Sequence, residues 1–118
     1  MEFFISDPNV ERLPPAKTRL LDLRATPDPD GKRLRVALEL TPFQQRPYIE
    51  LSLNDAEEKE AASASIVEPV GWKLELTLHI RKTGPTAGTY QLSAILSYPE
   101  EGEVDRRSLT VEIPPPTS

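Results

Sequence analysis

Trp72-Lys73-Leu74-Glu75-Leu76-Thr77-Leu78-His79-Ile80-Arg81 is the stretch on which the fold is decided. Trp72, Leu74, Leu76, Leu78 and Ile80 fall at every second position, so a strand places all of them on one face. A helix would scatter the same residues around its circumference. Lys73, Glu75, Thr77, His79 and Arg81 take the opposite, wet face. One dry and one wet face is the pattern of an antiparallel sheet laid on a core.

The same period recurs on both sides of this stretch. Downstream, Tyr90, Leu92, Ala94, Leu96 and Tyr98 alternate, followed by Leu109, Val111 and Ile113. Upstream come Ile49, Leu51 and Leu53, then Leu34, Val36, Leu38 and Leu40, then Leu21, Leu23 and Ala25. Ala61 to Val67 has little bulk and reads as an edge strand. Turn signals separate the runs. Asp30-Gly31 is a hairpin cue because glycine accepts positive φ without strain. Pro42 to Pro47, Asp55 to Glu60, Pro69 to Gly71, Thr83 to Gly88 and Pro99 to Gly102 are the other breaks.

The expectation is an all-β fold, a seven-stranded antiparallel β-sandwich with strands near residues 17–25, 33–41, 48–54, 60–67, 72–81, 89–98 and 104–113. Residues 1–16 read as an N-terminal extension in which Phe3 to Ile5 supplies one short strand. Residues 17–113 read as the sandwich, and residues 114–118 as a proline-rich tail.

Composition narrows the function. The 118 residues suit one domain, and 37% hydrophobic with 28% charged residues is a globular balance. There is no cysteine, which excludes a disulfide framework, a thiolate zinc site and a thiol nucleophile. A net charge of −5, with basic pairs only at Lys32-Arg33, Arg81-Lys82 and Arg106-Arg107, argues against a nucleic-acid partner. Met1 to Asp7 lacks the basic and apolar regions of a signal peptide, and no apolar run approaches membrane-spanning length. The cytoplasm is the default expectation, with no membrane insertion.

No catalytic constellation emerges. The single histidine, His79, lies on the wet phase of its strand. No serine sits in a glycine-flanked elbow. Carboxylates cluster at Asp28 and Asp30, at Asp55, Glu57, Glu58 and Glu60, and at Glu100, Glu101, Glu103 and Asp105. None has the spacing of a calcium loop, so these are read as solvated turns. Neither an enzyme nor a cofactor is expected.

Gly88-Thr89-Tyr90-Gln91-Leu92 carries a more specific signal. It resembles the start of the sixth strand of immunoglobulin-like domains, with a small residue two before a tyrosine and a core residue two after. The resemblance implies that Tyr90 is a corner tyrosine bonded to upstream backbone, and that Leu92 stands where the family's disulfide cysteine lies. The family's acidic residue four before the tyrosine is Thr86 here, and Trp72 opens the fifth strand instead of lying in the third. The resemblance is therefore to a disulfide-free relative, closer to fibronectin type III than to antibody domains. Tyr90, Leu92 and Trp72 are expected to be structural.

In such a sandwich the second-to-third, fourth-to-fifth and sixth-to-seventh loops gather at one end. Phe43, Gln44, Gln45, Arg46, Glu68 and Glu100 to Gly102 would be displayed there. The expected function is a non-catalytic interaction or spacer module, monomeric or weakly dimeric. It would bind protein through Phe43, Gln45, Arg46, Tyr48, Glu100 and Glu101, or by adding a strand to an edge. The alternative is carbohydrate or small-ligand binding through Tyr48, Phe43 or Trp72.

Overall fold

Alternation becomes seven antiparallel strands in a computed structural model that describes residues 11–82 and 84–115. They are β1 (Leu20–Pro27), β2 (Arg33–Leu40), β3 (Tyr48–Asn54), β4 (Glu60–Val67), β5 (Lys73–His79), β6 (Gly88–Tyr98) and β7 (Gly102–Ile113). A three-stranded sheet in the order β1-β2-β5 faces a four-stranded sheet in the order β4-β3-β6-β7. Leu34, Val36, Leu38 and Leu40 from one sheet meet Ile49, Leu51, Leu53, Leu92, Ala94 and Leu96 from the other, all buried. The all-β, seven-stranded sandwich read from the sequence is the fold observed.

Two hairpins fix much of the order. Between β1 and β2, Asp28 N donates to Arg33 O at 2.9 Å and Gly31 N to Asp28 O at 3.0 Å. Gly31 takes φ 69°, which glycine adopts freely. Between β3 and β4, Asp55 N donates to Lys59 O at 2.8 Å, and the Asp55 carboxylate accepts from Glu57 N and Lys59 N, both at 2.9 Å. This tight turn lays β4 beside β3. In the immunoglobulin constant arrangement the fourth strand would pair with the fifth instead.

Strand β1 departs from simple alternation. The pairing Leu20↔Leu40 is followed by Asp22↔Glu39, so Leu21 is the extra residue of a β-bulge. The bulge moves the phase: Leu20 and Leu23 are buried, and Leu21, expected to face inward, is 48% exposed. Side chains of β7 hold it, with Leu20 N donating to Asp105 Oδ2 at 2.8 Å and Arg107 Nε reaching Leu20 O at 3.4 Å.

The strand also begins later than residue 17, because Pro15–Lys17 forms a short 3₁₀ turn. β5 is shorter than 72–81. Beyond His79 the chain leaves the sheet, Ile80 N bonding Lys32 O and Arg81 N crossing to Ala61 O. Phe3 to Ile5, the expected extra strand, and the last three residues of the tail lie outside the described residues.

Candidate functional site

The three loops expected to gather do meet at one end of the sandwich. Gln45, Arg46 and Tyr48 from the β2–β3 connection, Glu68 from the β4–β5 connection, and Tyr98, Pro99 and Glu100 from the β6–β7 connection line an open hollow of about 380 Å³. Gln45, Arg46, Glu68, Pro99 and Glu100 are exposed, and Tyr48 is half-buried at the start of β3. Glu101 is exposed on the same turn as Glu100 but is not part of the lining.

Tyr98 fixes the floor. Its hydroxyl donates to Gln45 O at 2.8 Å and lies 3.2 Å from Thr18 Oγ1, whose own proton is shared with Pro14 O at 3.0 Å. Burial pushes the Tyr98 phenol above its ordinary value, and its hydrogen-bonding with Thr18 offsets part of that rise. Glu68 takes φ 52° and donates its N–H to Pro47 O at 3.0 Å, which turns the β4–β5 loop toward the hollow. The backbone of all three loops is thus tied to the sandwich, while the charged ends of Arg46, Glu68 and Glu100 stand in solvent.

Phe43 is the exception among the residues expected at this end. It is 5% exposed, within the core, and its ring meets Trp72 edge-on at a centroid distance of 6.2 Å. Leu13 is tied beside it by a parallel backbone bridge, with Leu13 N donating to Pro42 O and Gln44 N to Leu13 O, both at 2.9 Å. A six-residue loop rich in proline and glutamine reads as solvated, and nothing local signals that Leu13 returns to bridge it. Trp72 is half-buried against the core with the Arg12 guanidinium over its ring at 5.5 Å. The Arg12 guanidinium thus occupies a face of the ring that a flat ligand would need.

The other acidic turns are occupied by the protein's own groups. Asp28 is buried and pairs with Arg33 Nε and Arg35 Nε, both at 3.1 Å. Asp105 accepts from Leu20 N, and Glu103 pairs with Arg106 at 2.9 Å. Among the described residues no group of three or more histidine, aspartate or glutamate side chains is arranged to hold a metal ion. None of the described helices is long and apolar enough to cross a membrane. A second, wider hollow of about 520 Å³ lies over Ala37 on the outer face of the three-stranded sheet, between Arg24, Arg35 and Glu75. It is the gap that a small residue leaves among long charged side chains on a solvated face.

No family model matches this sequence, and no curated protein does. Solved structures do share its fold. A glycosyl hydrolase family 2 member from Bacteroides cellulosilyticus superposes with TM-score 0.59 at 12% identity, covering 81% of this chain and 15% of that one. A second structure of a family 2 member from the same organism gives TM-score 0.63 at 13% identity, covering 81% and 14%. A β-glucuronidase from Ruminococcus gnavus in complex with D-glucuronic acid gives TM-score 0.57 at 19% identity, covering 82% and 16%. At these identities the likeness is one of fold, and this chain spans a minor part of each of those proteins.

Proposed function

We propose that this sandwich is a non-catalytic module that binds protein through the loop end around Arg46. The observation that carries the reading is the fixed, open hollow formed by Gln45, Arg46, Tyr48, Glu68, Tyr98, Pro99 and Glu100. Its lip bears charges of both signs over a hydrogen-bonded backbone, which suits recognition of another protein surface. It is too open to enclose a small molecule in the way ligand pockets do. The fold likeness supports the reading, since a sandwich of this kind forms about 15% of a much larger glycosidase chain and there has neighbours to contact.

Photocrosslinkers placed at Gln45 and Glu100 should trap one discrete protein in the producing cells, and a crosslinker at Thr110 on β7 should not. Arg46→Glu should abolish the adduct while leaving the far-UV spectrum unchanged. Equal background from all three positions would sink the reading.

Carbohydrate binding is the second reading, favoured by the glycosidase context of the similar structures and by the half-buried Tyr48 ring at the hollow. An oligosaccharide array on which binding is present and is lost with Tyr48→Ala would establish it. An array without binding removes it.

A further inference from the structure

Each sheet has two edges, and three of the four carry a device that blocks a further strand. β1 is interrupted by its bulge at Leu21, ends on Pro27 and is held by Asp105 and Arg107 of β7. β7 carries Glu103, Asp105, Arg106 and Arg107, and its register shifts at Val104. β5 alternates Lys73, Glu75 and His79 with its core residues. β4 is different. Its register shifts only at Ala61, and from Ala62 to Val67 it has no charge, no proline and no glycine. The two most exposed large apolar side chains among the described residues stand at its end, Val67 at 60% and Val70 at 79%.

The ladder shows which backbone groups of β4 are free. Glu68 N donates to Pro47 O at 3.0 Å, one pair beyond Tyr48↔Val67. Bonded and unbonded pairs alternate along an antiparallel ladder. Ile66 and Ala64 therefore bond to Ile49 and Leu51, while Ser63, Ser65 and Val67 turn N–H and C=O away from β3. Among the described residues no backbone group meets these three. At one end the next outward carbonyl, Ala61 O, already accepts from Arg81 N at 2.8 Å. At the other end the next outward residue is Pro69, which has no N–H. The open ladder is thus Ser63, Ser65 and Val67, centred on Ser65.

We propose that a second copy of this chain pairs antiparallel with β4 along this edge, about a two-fold axis at Ser65. Ser65 then faces Ser65 of the copy, and Ser63 faces Val67 in both directions. In each of these pairs the two residues exchange both backbone bonds, so every free group has a partner. Neighbouring two-fold registers fail. Centring on Ser63 or Ala64 calls on Ala61, whose carbonyl is taken, and centring on Ala64 also sets Glu60 against Glu68. Centring on Ile66 calls on Pro69. In the Ser65 register Glu68 lies opposite Ala62, Ile66 lies opposite Ala64, and the copy covers part of Val67. This self-complementarity, in an uncharged stretch of a chain with net charge −5, is what favours a copy over an unrelated strand. The contact is one strand wide, less than a stable interface needs, so the dimer is weak. Screening of the like net charges should strengthen it. Pairing at this edge is independent of what the loop end binds.

The chain has no cysteine, so a single introduced thiol reports the register. In a bonded antiparallel pair the Cα atoms lie about 5.5 Å apart, within disulfide reach. Under mild oxidation Ser65→Cys should crosslink to its own copy about tenfold or more faster than Thr110→Cys on the outer face of β7. Ser63→Cys should not, because its equivalent lies about 13 Å along the strand. Mixed with Val67→Cys it should crosslink as a heterodimer. Sedimentation of the native full chain should show a mean mass that rises with concentration and rises further with added salt. A mass that stays at the monomer value, with Ser65→Cys no faster than Thr110→Cys, overturns the proposal. Crosslinking of Ser63→Cys alone as fast as Ser65→Cys overturns the two-fold at Ser65. Slow amide exchange at Ser63, Ser65 and Val67 in a chain that sediments as a monomer also overturns it, and assigns the edge to a segment of the same chain.

Discussion

Tyr90 and Gly31 both meet Thr86. The Tyr90 hydroxyl, buried, donates to Thr86 O at 2.7 Å. A Cβ on Gly31 would come within 2.9 Å of Thr86 Oγ1. Tyr90→Phe removes the donor and leaves a buried carbonyl unsatisfied, so the variant should lose about 1–3 kcal/mol in chemical denaturation. Gly31→Ala meets two penalties, a side chain at φ 69° and the contact with Thr86. It should cost more than about 1 kcal/mol, whereas Gly71→Ala, with open space around it, should stay within about 0.5 kcal/mol. Equal midpoints for the two alanine variants would contradict this. The local half of the arrangement is legible in the sequence, since Asp30-Gly31 is a turn signal and Gly88-Thr89-Tyr90 a strand start. The contact between Gly31 and Thr86 is not, because a turn signal carries no information about its distant neighbour.

At the scale of elements, the positions that sequence reasoning misplaces are those where a distant segment intervenes. The periods of β2, β3, β5 and β6 are set by their own residues and read directly. In β1 the alternation Leu21, Leu23, Ala25 competes with Leu20, and Asp105 and Arg107 of β7 decide the contest by holding Leu20 in a bulge. Leu23→Ala should therefore cost about 2–5 kcal/mol, while Leu21→Ser should be close to neutral; comparable losses for both in denaturation curves would mean the bulge is absent. Phe43 is misplaced for the same kind of reason, its ring meeting Trp72 and its backbone bridged by Leu13. The β3–β4 turn makes a pH prediction. The Lys59 and Glu57 backbone N–H groups, with the Lys82 ammonium, hold the Asp55 carboxyl below its ordinary value of 3.8. A carboxyl lowered by folding stabilises above its ordinary value, and that stabilisation is lost as pH falls through the folded value. The stability gap between the native chain and Asp55→Asn should be widest above about pH 4 and shrink below it. Asp30 and Glu103 are also lowered, so the difference between the two curves, not either alone, isolates Asp55. A gap independent of pH would show that the ionised carboxylate is not what holds the turn.

For the whole molecule, the question is whether two sheets make one cooperative unit. Neither sheet has a dry outer face. The three-stranded sheet turns Arg24, Arg35, Glu75 and Thr77 to solvent, and the four-stranded sheet exposes Glu50, Gln91 and Thr110. Each sheet can therefore bury its apolar residues only against the other, in a single cluster that spans both. Leu38 of β2 and Leu51 of β3 are both fully buried in that cluster from opposite sheets. Separate sheets would melt separately, whereas a shared core ties their transitions together. Leu38→Ala and Leu51→Ala should each lower the same single transition, by about 2–5 kcal/mol. Trp72, the one tryptophan in the sequence, stands at the mouth of β5, so its fluorescence reports on the three-stranded sheet. The far-UV signal reports on all strands. In both variants the two signals should give one denaturation midpoint. If fluorescence moved ahead of the far-UV signal in Leu38→Ala alone, the three-stranded sheet would be a separable layer, and the single shared core would no longer account for the stability of the sandwich.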